Sequence, residues 1–260
     1  MDVLNSLFRW IHVAAGILWI GLLYFFNFVN IPFAGAMDGD TKKKVVPELM
    51  PRALYMFRWG AAYTWVTGIL LLFIVYYHGG LMYGDQTNPE EEWTIANSLL
   101  TLVLMFAGVF LYDVLARTPL TKNLTLTGVV GLVIAGIVTY LLIKVGGFGY
   151  RAYNIHIGAL FGTIMAFNVW FRIWPSQKKI ITAVKEGAAP DASVVALAGL
   201  RSRHNTYLSV PLVWTMVNMH TTTLATGVPR YDTLILLVAT LIGWGAVTWL
   251  YKKSAKVKGF

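Results

Sequence analysis

The chain contains no cysteine. Disulfides, thiolate metal sites, cysteine-bound iron–sulfur clusters and covalently attached haem c are thereby excluded. Charge is scarce as well: Asp, Glu, Lys and Arg make up 13% of the 260 residues, about half the share found in soluble domains. Acidic side chains are the rarer sign, 12 against 21 basic ones, giving a net charge of +9. What fills the chain instead is apolar: 57% hydrophobic residues and a mean hydropathy of +0.62. A soluble domain is excluded, and the composition reads as an integral membrane protein. In such a chain membrane topology accounts for the positive excess, and no nucleic-acid partner is expected.

Apolar runs of about 20 residues, enough to cross the hydrocarbon core, fall at 7–29, 57–77, 95–115, 124–143, 150–174, 205–220 and 233–251. The expected fold is all-α, a seven-transmembrane-helix bundle forming a single transmembrane domain over 1–260. The sixth run is the shortest and contains Pro211, which predicts a kink. The first resembles a signal peptide at Ala34-Gly35-Ala36, but its run is too long and no Lys or Arg precedes Leu7, so it reads as a helix.

The basic residues orient these helices. Lys and Arg cluster after runs one, three, five and seven; only Arg9, Lys144, Arg151 and Arg230 fall on the other side, together with the acidic run Glu90-Glu91-Glu92. The N-terminus is expected outside and the C-terminus in the cytoplasm. The outer loop 79–93 carries turn-forming Gly, Asp, Asn and Pro. The inner loop 175–202 contains an amphipathic stretch at 177–186 and an Ala/Val/Leu-rich run, and predicts short helices along the membrane surface.

That topology puts four of the five histidines, His12, His78, His156 and His220, on the outer side and His204 on the inner side. Imidazoles at bilayer depth are costly and tend to be functional. His12 and His156 each lie about 9 Å outside the middle of their runs at the helical rise per residue. Two imidazoles at matched depth on different helices can clamp a haem iron, as cofactor sites in bundle cores are built. Small residues follow both, Ala14-Ala15-Gly16 and Gly158-Ala159, and let a macrocycle or another helix approach closely. Arg9 and Arg151 stand near them as expected cations for haem propionates, the alternative being helix ends that snorkel. The expected cofactor is haem b, with His220 as an alternative ligand, Met219 a weaker one, and His78 an interface residue. A copper or zinc site ranks below haem, because no carboxylate shares that depth. The other reading of these histidines is structural, as hydrogen-bonding groups between helices.

His204 sits in Arg201-Ser202-Arg203-His204-Asn205-Thr206-Tyr207, about 24 Å from His220 along one helix, so the two cannot share an iron. Arg172, Arg201, Arg203, His204, Asn205 and Tyr207 form a candidate inner site for a substrate anion or a quinone headgroup, with Asn168 and Gln177 able to join it. The structural alternative is a set of positive-inside residues at a helix start. Asp113 is a potential salt-bridge partner for one of these arginines.

Three stretches, RWIHVAAGILWIG, HIGALFGTIMAFNVWFRIWPSQKKI and RSRHNTYLSVPLVWTMVNMH, together resemble the membrane domain of the bacterial PuuD-type urate oxidase (urate hydroxylase) family, over most of the chain. The resemblance implies urate oxidation with electrons passed to a c-type cytochrome, and it points to His12, His156, His204 and His220. Members look like an eight-helix membrane unit followed by an outward-facing cytochrome c domain. Here there are seven runs and no Cys-x-x-Cys-His, so the cytochrome is expected as a separate outer-face partner. The reading is a haem b oxidoreductase component in a bacterial inner (cytoplasmic) membrane. Alternatives are an electron-transfer or accessory subunit packed with other membrane subunits of a respiratory complex, or a small-anion transporter.

Overall fold

The computed structural model describes residues 2–82, 95–218, 220 and 232–258. Its α-helices are α1 (Asp2–Tyr24), α2 (Ile31–Ala36), α3 (Gly39–Leu72), α4 (Ile95–Leu115), α5 (Leu124–Lys144), α6 (Tyr150–Asn168), α7 (Trp174–Lys185), α8 (Ala192–Asn218) and α9 (Asp232–Ser254). Wider π-helical turns at Phe25–Asn30 and Val169–Ile173 join α1 to α2 and α6 to α7, and a third, Phe73–His78, extends α3. No strand occurs among the described residues.

Among the described residues six stretches are long and apolar enough to cross a membrane: Asp2–Ala36, Gly39–His78, Ala96–Leu115, Leu124–Lys144, Tyr150–Lys185 and Thr233–Ser254. They coincide with six of the seven apolar runs. The run expected at 205–220 lies in α8, whose helix begins at Ala192 rather than near 205. Arg201, Arg203, His204 and Asn205 in its middle keep α8 below the apolarity of the other six. The Ala/Val/Leu run expected as a separate surface helix is instead the first part of α8, while the amphipathic stretch does form a helix of its own, α7. The outer-loop residues Glu90, Glu91 and Glu92, together with Met219 and Arg230, lie outside the described residues.

Helix starts follow local chemistry. Asp38 precedes α3 and accepts from the Thr41 amide (2.8 Å), which with the Thr41 hydroxyl holds its carboxyl below the usual carboxylate range. Asp191 does the same for α8 through Ser193, and Asn123 caps α5 through the Leu126 amide. These side chains satisfy amide groups that a first helical turn leaves open.

The helices invert the pattern of a soluble protein. On α5, Val129, Val133, Ile137 and Tyr140 are all exposed; on α4, Leu99, Val103, Phe106, Phe110 and Val114 are. Their spacing of three or four places them on one helix face, as a lipid-facing stripe requires. Inside, Thr101, Thr139 and Thr240 are buried, each donating its hydroxyl to the carbonyl one turn earlier. The hydroxyls thus need no water.

The chain forms two compact units. The first comprises 1–68, 165–209 and 244–260; the second comprises 69–164 and 210–243. In the first, α1 and α3 meet closely at Gly60, where an added Cβ would lie 3.3 Å from the Trp19 backbone nitrogen. In the second, α6 meets α8 at Gly158, against Thr215 and Met216.

Candidate functional site

His12 projects from α1 onto α3. Its Nδ1 lies 2.8 Å from the Thr64 carbonyl and 3.2 Å from the Thr67 hydroxyl oxygen. A carbonyl only accepts, so Nδ1 carries the proton and donates it. The Thr67 hydroxyl spends its own proton on the Tyr63 carbonyl at 2.6 Å, leaving its oxygen to face Nδ1–H. Gly68 makes room for the ring: an added Cβ would lie 2.9 Å from His12 Cε1. Nε2 is therefore the basic nitrogen, and among the described residues it takes part in no hydrogen bond. This is the tautomer and backing that a metal-bound imidazole uses.

His156, on α6 in the second unit, is oriented the same way. It is buried, and its Nδ1–H donates to the Ala152 carbonyl one turn earlier at 2.6 Å. Its Nε2 is again the basic nitrogen, and here the Tyr77 hydroxyl donates to it at 3.2 Å. Tyr76, Tyr77 and Phe148 surround the ring with centroid distances of 6.2, 5.8 and 4.9 Å. The imidazole fits an iron ligand in tautomer and burial, and ligation requires the Tyr77 hydroxyl to move aside.

The remaining residues expected on the outer side are less enclosed. His220 is exposed at the end of α8, its amide bonded to the Val217 carbonyl. His78 is exposed at the end of its π-helical turn. Arg9 is exposed and donates to Asn5 on its own helix at 2.8 Å. Arg151 is half-buried in the first turn of α6. Among the described residues no group of three or more His, Asp or Glu could hold a bare metal ion.

The α8 residues of the expected inner site divide over two faces of the helix, because successive residues turn by about 100°. Arg201, His204 and Asn205 are buried on the face toward α6. There Asn168 Nδ2 donates to Asn205 Oδ1 at 2.8 Å, Arg201 reaches Asn168 Oδ1 at 3.5 Å, and Asn205 Nδ2 donates to the Met165 carbonyl at 3.0 Å. Arg203 and Tyr207 face α9: Arg203 lies over the Tyr251 ring at 5.3 Å, and Tyr207 stacks on it at 6.1 Å. Arg172 rests over Phe167 at 5.2 Å. A third seam joins α8 and α9 to the π-helical turn after α1, where Asn27 Nδ2 donates to the Ser202 hydroxyl oxygen and Asn27 Oδ1 accepts from the Tyr251 hydroxyl, both at 2.8 Å. Asp113, near the end of α4, pairs with Arg117 in the turn just beyond it at 2.6 Å.

Thr64, Thr67, Gly68, Tyr77, Asn27 and Tyr251 escaped the sequence reading. A Thr-x-x-Thr-Gly run within an apolar span was the available signal for the first three. Nothing in the sequence paired Tyr77 with His156.

The family model described as urate oxidase N-terminal matches residues 33–259. The chain belongs to this family. As a urate oxidase N-terminal family member it carries His156, His204 and His220 within the matched stretch, and the whole of α1, with His12, before it. No curated protein and no solved structure matches the chain.

Proposed function

We propose that this chain is the membrane-embedded, haem b-binding component of a urate-oxidising system that passes electrons to a c-type cytochrome at the outer face of a bacterial cytoplasmic membrane. The family supports the oxidoreductase class. The observation that carries the cofactor is the shared state of the two histidines: each donates Nδ1–H to a backbone carbonyl, leaving Nε2 to act as a ligand. His12 and His156 would hold haem iron through Nε2, with His220 as the alternative, and Arg9 and Arg151 would serve as cations for propionates. Haem b supplies one-electron transfer when bound. The residues do the rest. Thr64 and Ala152 fix ring tautomer and orientation, and the rings of Tyr76, Tyr77 and Phe148 keep water from His156. The distribution of Lys and Arg supports α8 as a seventh span, an outer N-terminus and a cytoplasmic C-terminus. Arg201, His204, Asn205 and Asn168, with Arg172, Arg203 and Tyr207 nearby in sequence or on the same helix, supply donors for an anionic substrate or quinone headgroup.

Reduced-minus-oxidised spectra of the purified, haem-supplemented protein test the reading. A b-type α band is expected, lost in His12→Ala and His156→Ala and kept in His204→Ala. No band in the wild type, with or without added haem, overturns it.

A further inference from the structure

The first unit holds a cation that neither the histidines nor the α8 cluster uses. Arg58 of α3 is half-buried, and its guanidinium carbon lies over the Trp174 ring of α7, 4.0 Å from the centroid, with Tyr55 at 5.4 Å and Trp170 at 5.9 Å. Trp170 is itself pinned, donating Nε1–H to the Arg58 carbonyl at 3.1 Å and meeting Trp59 edge-on at 5.6 Å. The aromatic faces serve the plane of the guanidinium but leave its edge, where the N–H donors are. Arg58 Nε is buried and has no hydrogen-bond partner among the described residues, and no carboxylate there pairs with Arg58. With Nε enclosed, the two terminal nitrogens of this half-buried, uncompensated cation are the donors left for an anion that presents oxygens in the guanidinium plane.

The place in the fold narrows the anion. The stretch Gly39–His78 is 40 residues long, about 60 Å at the helical rise, twice the hydrocarbon thickness of about 30 Å. The apolar half begins at Trp59, so Arg58 stands where that half enters the membrane, ringed by the tyrosine and tryptophans that mark an interface. Lys178 is exposed one turn beyond Trp174 on the same face of α7, a second cation for the same group.

We propose that Arg58, held on Trp174 and flanked by Lys178, binds the phosphate of an anionic phospholipid headgroup. On the orientation proposed above this lipid belongs to the cytoplasmic leaflet, although the site itself depends neither on that orientation nor on haem. Planar guanidinium and phosphate match as a two-point hydrogen-bonded pair, and basic pockets between helices at this depth suit such headgroups.

The test uses the full-length protein in detergent, by thermal unfolding with added phosphatidylglycerol, phosphatidylcholine or inorganic phosphate, and by native mass spectrometry of retained lipid. Phosphatidylglycerol is expected to raise the melting temperature and stay bound, phosphatidylcholine and inorganic phosphate to do neither. Arg58→Lys, which keeps the charge and loses the planar fork, is expected to retain several-fold less phosphatidylglycerol, and Arg58→Gln to lose the thermal shift. If Arg58→Gln does not fold, the lysine variant decides. Equal phosphatidylglycerol retention in the wild type and Arg58→Lys overturns the site; stabilisation by inorganic phosphate alone overturns the lipid source. The b-type spectrum is expected unchanged in Arg58→Lys, so failure of the haem reading is seen separately.

Discussion

Replacing Gly68 by alanine probes whether His12 is held by its surroundings. The new Cβ would stand 2.9 Å from Cε1 and 3.3 Å from Nδ1, against at least 3.4 Å for an ordinary contact. The ring must retreat by about 0.5 Å, which stretches the 2.8 Å bond to Thr64 to about 3.3 Å, beyond the range of a strong N–H···O bond. Losing that bond costs about 1 kcal/mol, and overpacking of this kind adds about 1–3 kcal/mol. A fall in thermal stability worth about 2–4 kcal/mol is therefore expected for Gly68→Ala. Haem affinity should fall by about 10–100-fold, the usual effect of removing a partner behind a ligating imidazole. Gly21→Ala on α1 is the control, since nothing lies within 4 Å of its added Cβ; it should leave haem affinity unchanged and lower stability not at all, Ala being the better helix former. Thermal melts and haem titration followed by the α band supply the measurements. Wild-type stability in Gly68→Ala refutes the packing argument. A normal melt loss with unchanged haem affinity refutes His12 as a ligand while leaving the packing intact.

Two further substitutions separate function from structure. Tyr77→Phe removes the hydroxyl that donates to His156 Nε2; the b-type band should persist or titrate in at lower haem concentration, and its disappearance would make Tyr77 part of the site rather than a group that moves aside. Asn205→Ala removes the link to Asn168 and the bond to the Met165 carbonyl and should cost about 1–3 kcal/mol by leaving buried polar groups unsatisfied; an unchanged melting curve would show that the cluster does not brace α8 against α6.

The six apolar spans were legible because a membrane helix hides its backbone and shows lipid its side chains, so composition alone marks it. The start of α8 was not: its first third, Ala192–Leu200, is too short an apolar run to signal a span, and Arg201 and Arg203 beyond it meet Asn168 of α6 and Tyr251 of α9. The division of the Arg/His/Asn cluster was implicit in the helical turn, which separates 201, 204 and 205 from 203 and 207; which helix each face meets was not. The small residues after His12 and His156 also acquire a definite role. Gly16 packs on Thr64 and Gly158 on Thr215, so both serve helix approach, while the glycine that accommodates the His12 ring lies 56 positions away in sequence at Gly68. Contacts over such separations have no local periodicity to betray them.

The buried threonines carry a consequence for how freely this sequence can drift. Thr101, Thr139 and Thr240 close their hydroxyls on their own helices, and each carbonyl so engaged also has its amide partner in the helix. Exchanging any of them for valine keeps the shape and orphans no group across a helix boundary. Asn27 and Asn205, by contrast, each hold two partners on other helices or turns, so neither can change without a matching change elsewhere. The interior thus contains two kinds of polarity, one interchangeable and one bound to its neighbours. A drifting lineage could bleach the first to pure hydrocarbon while the second stays fixed.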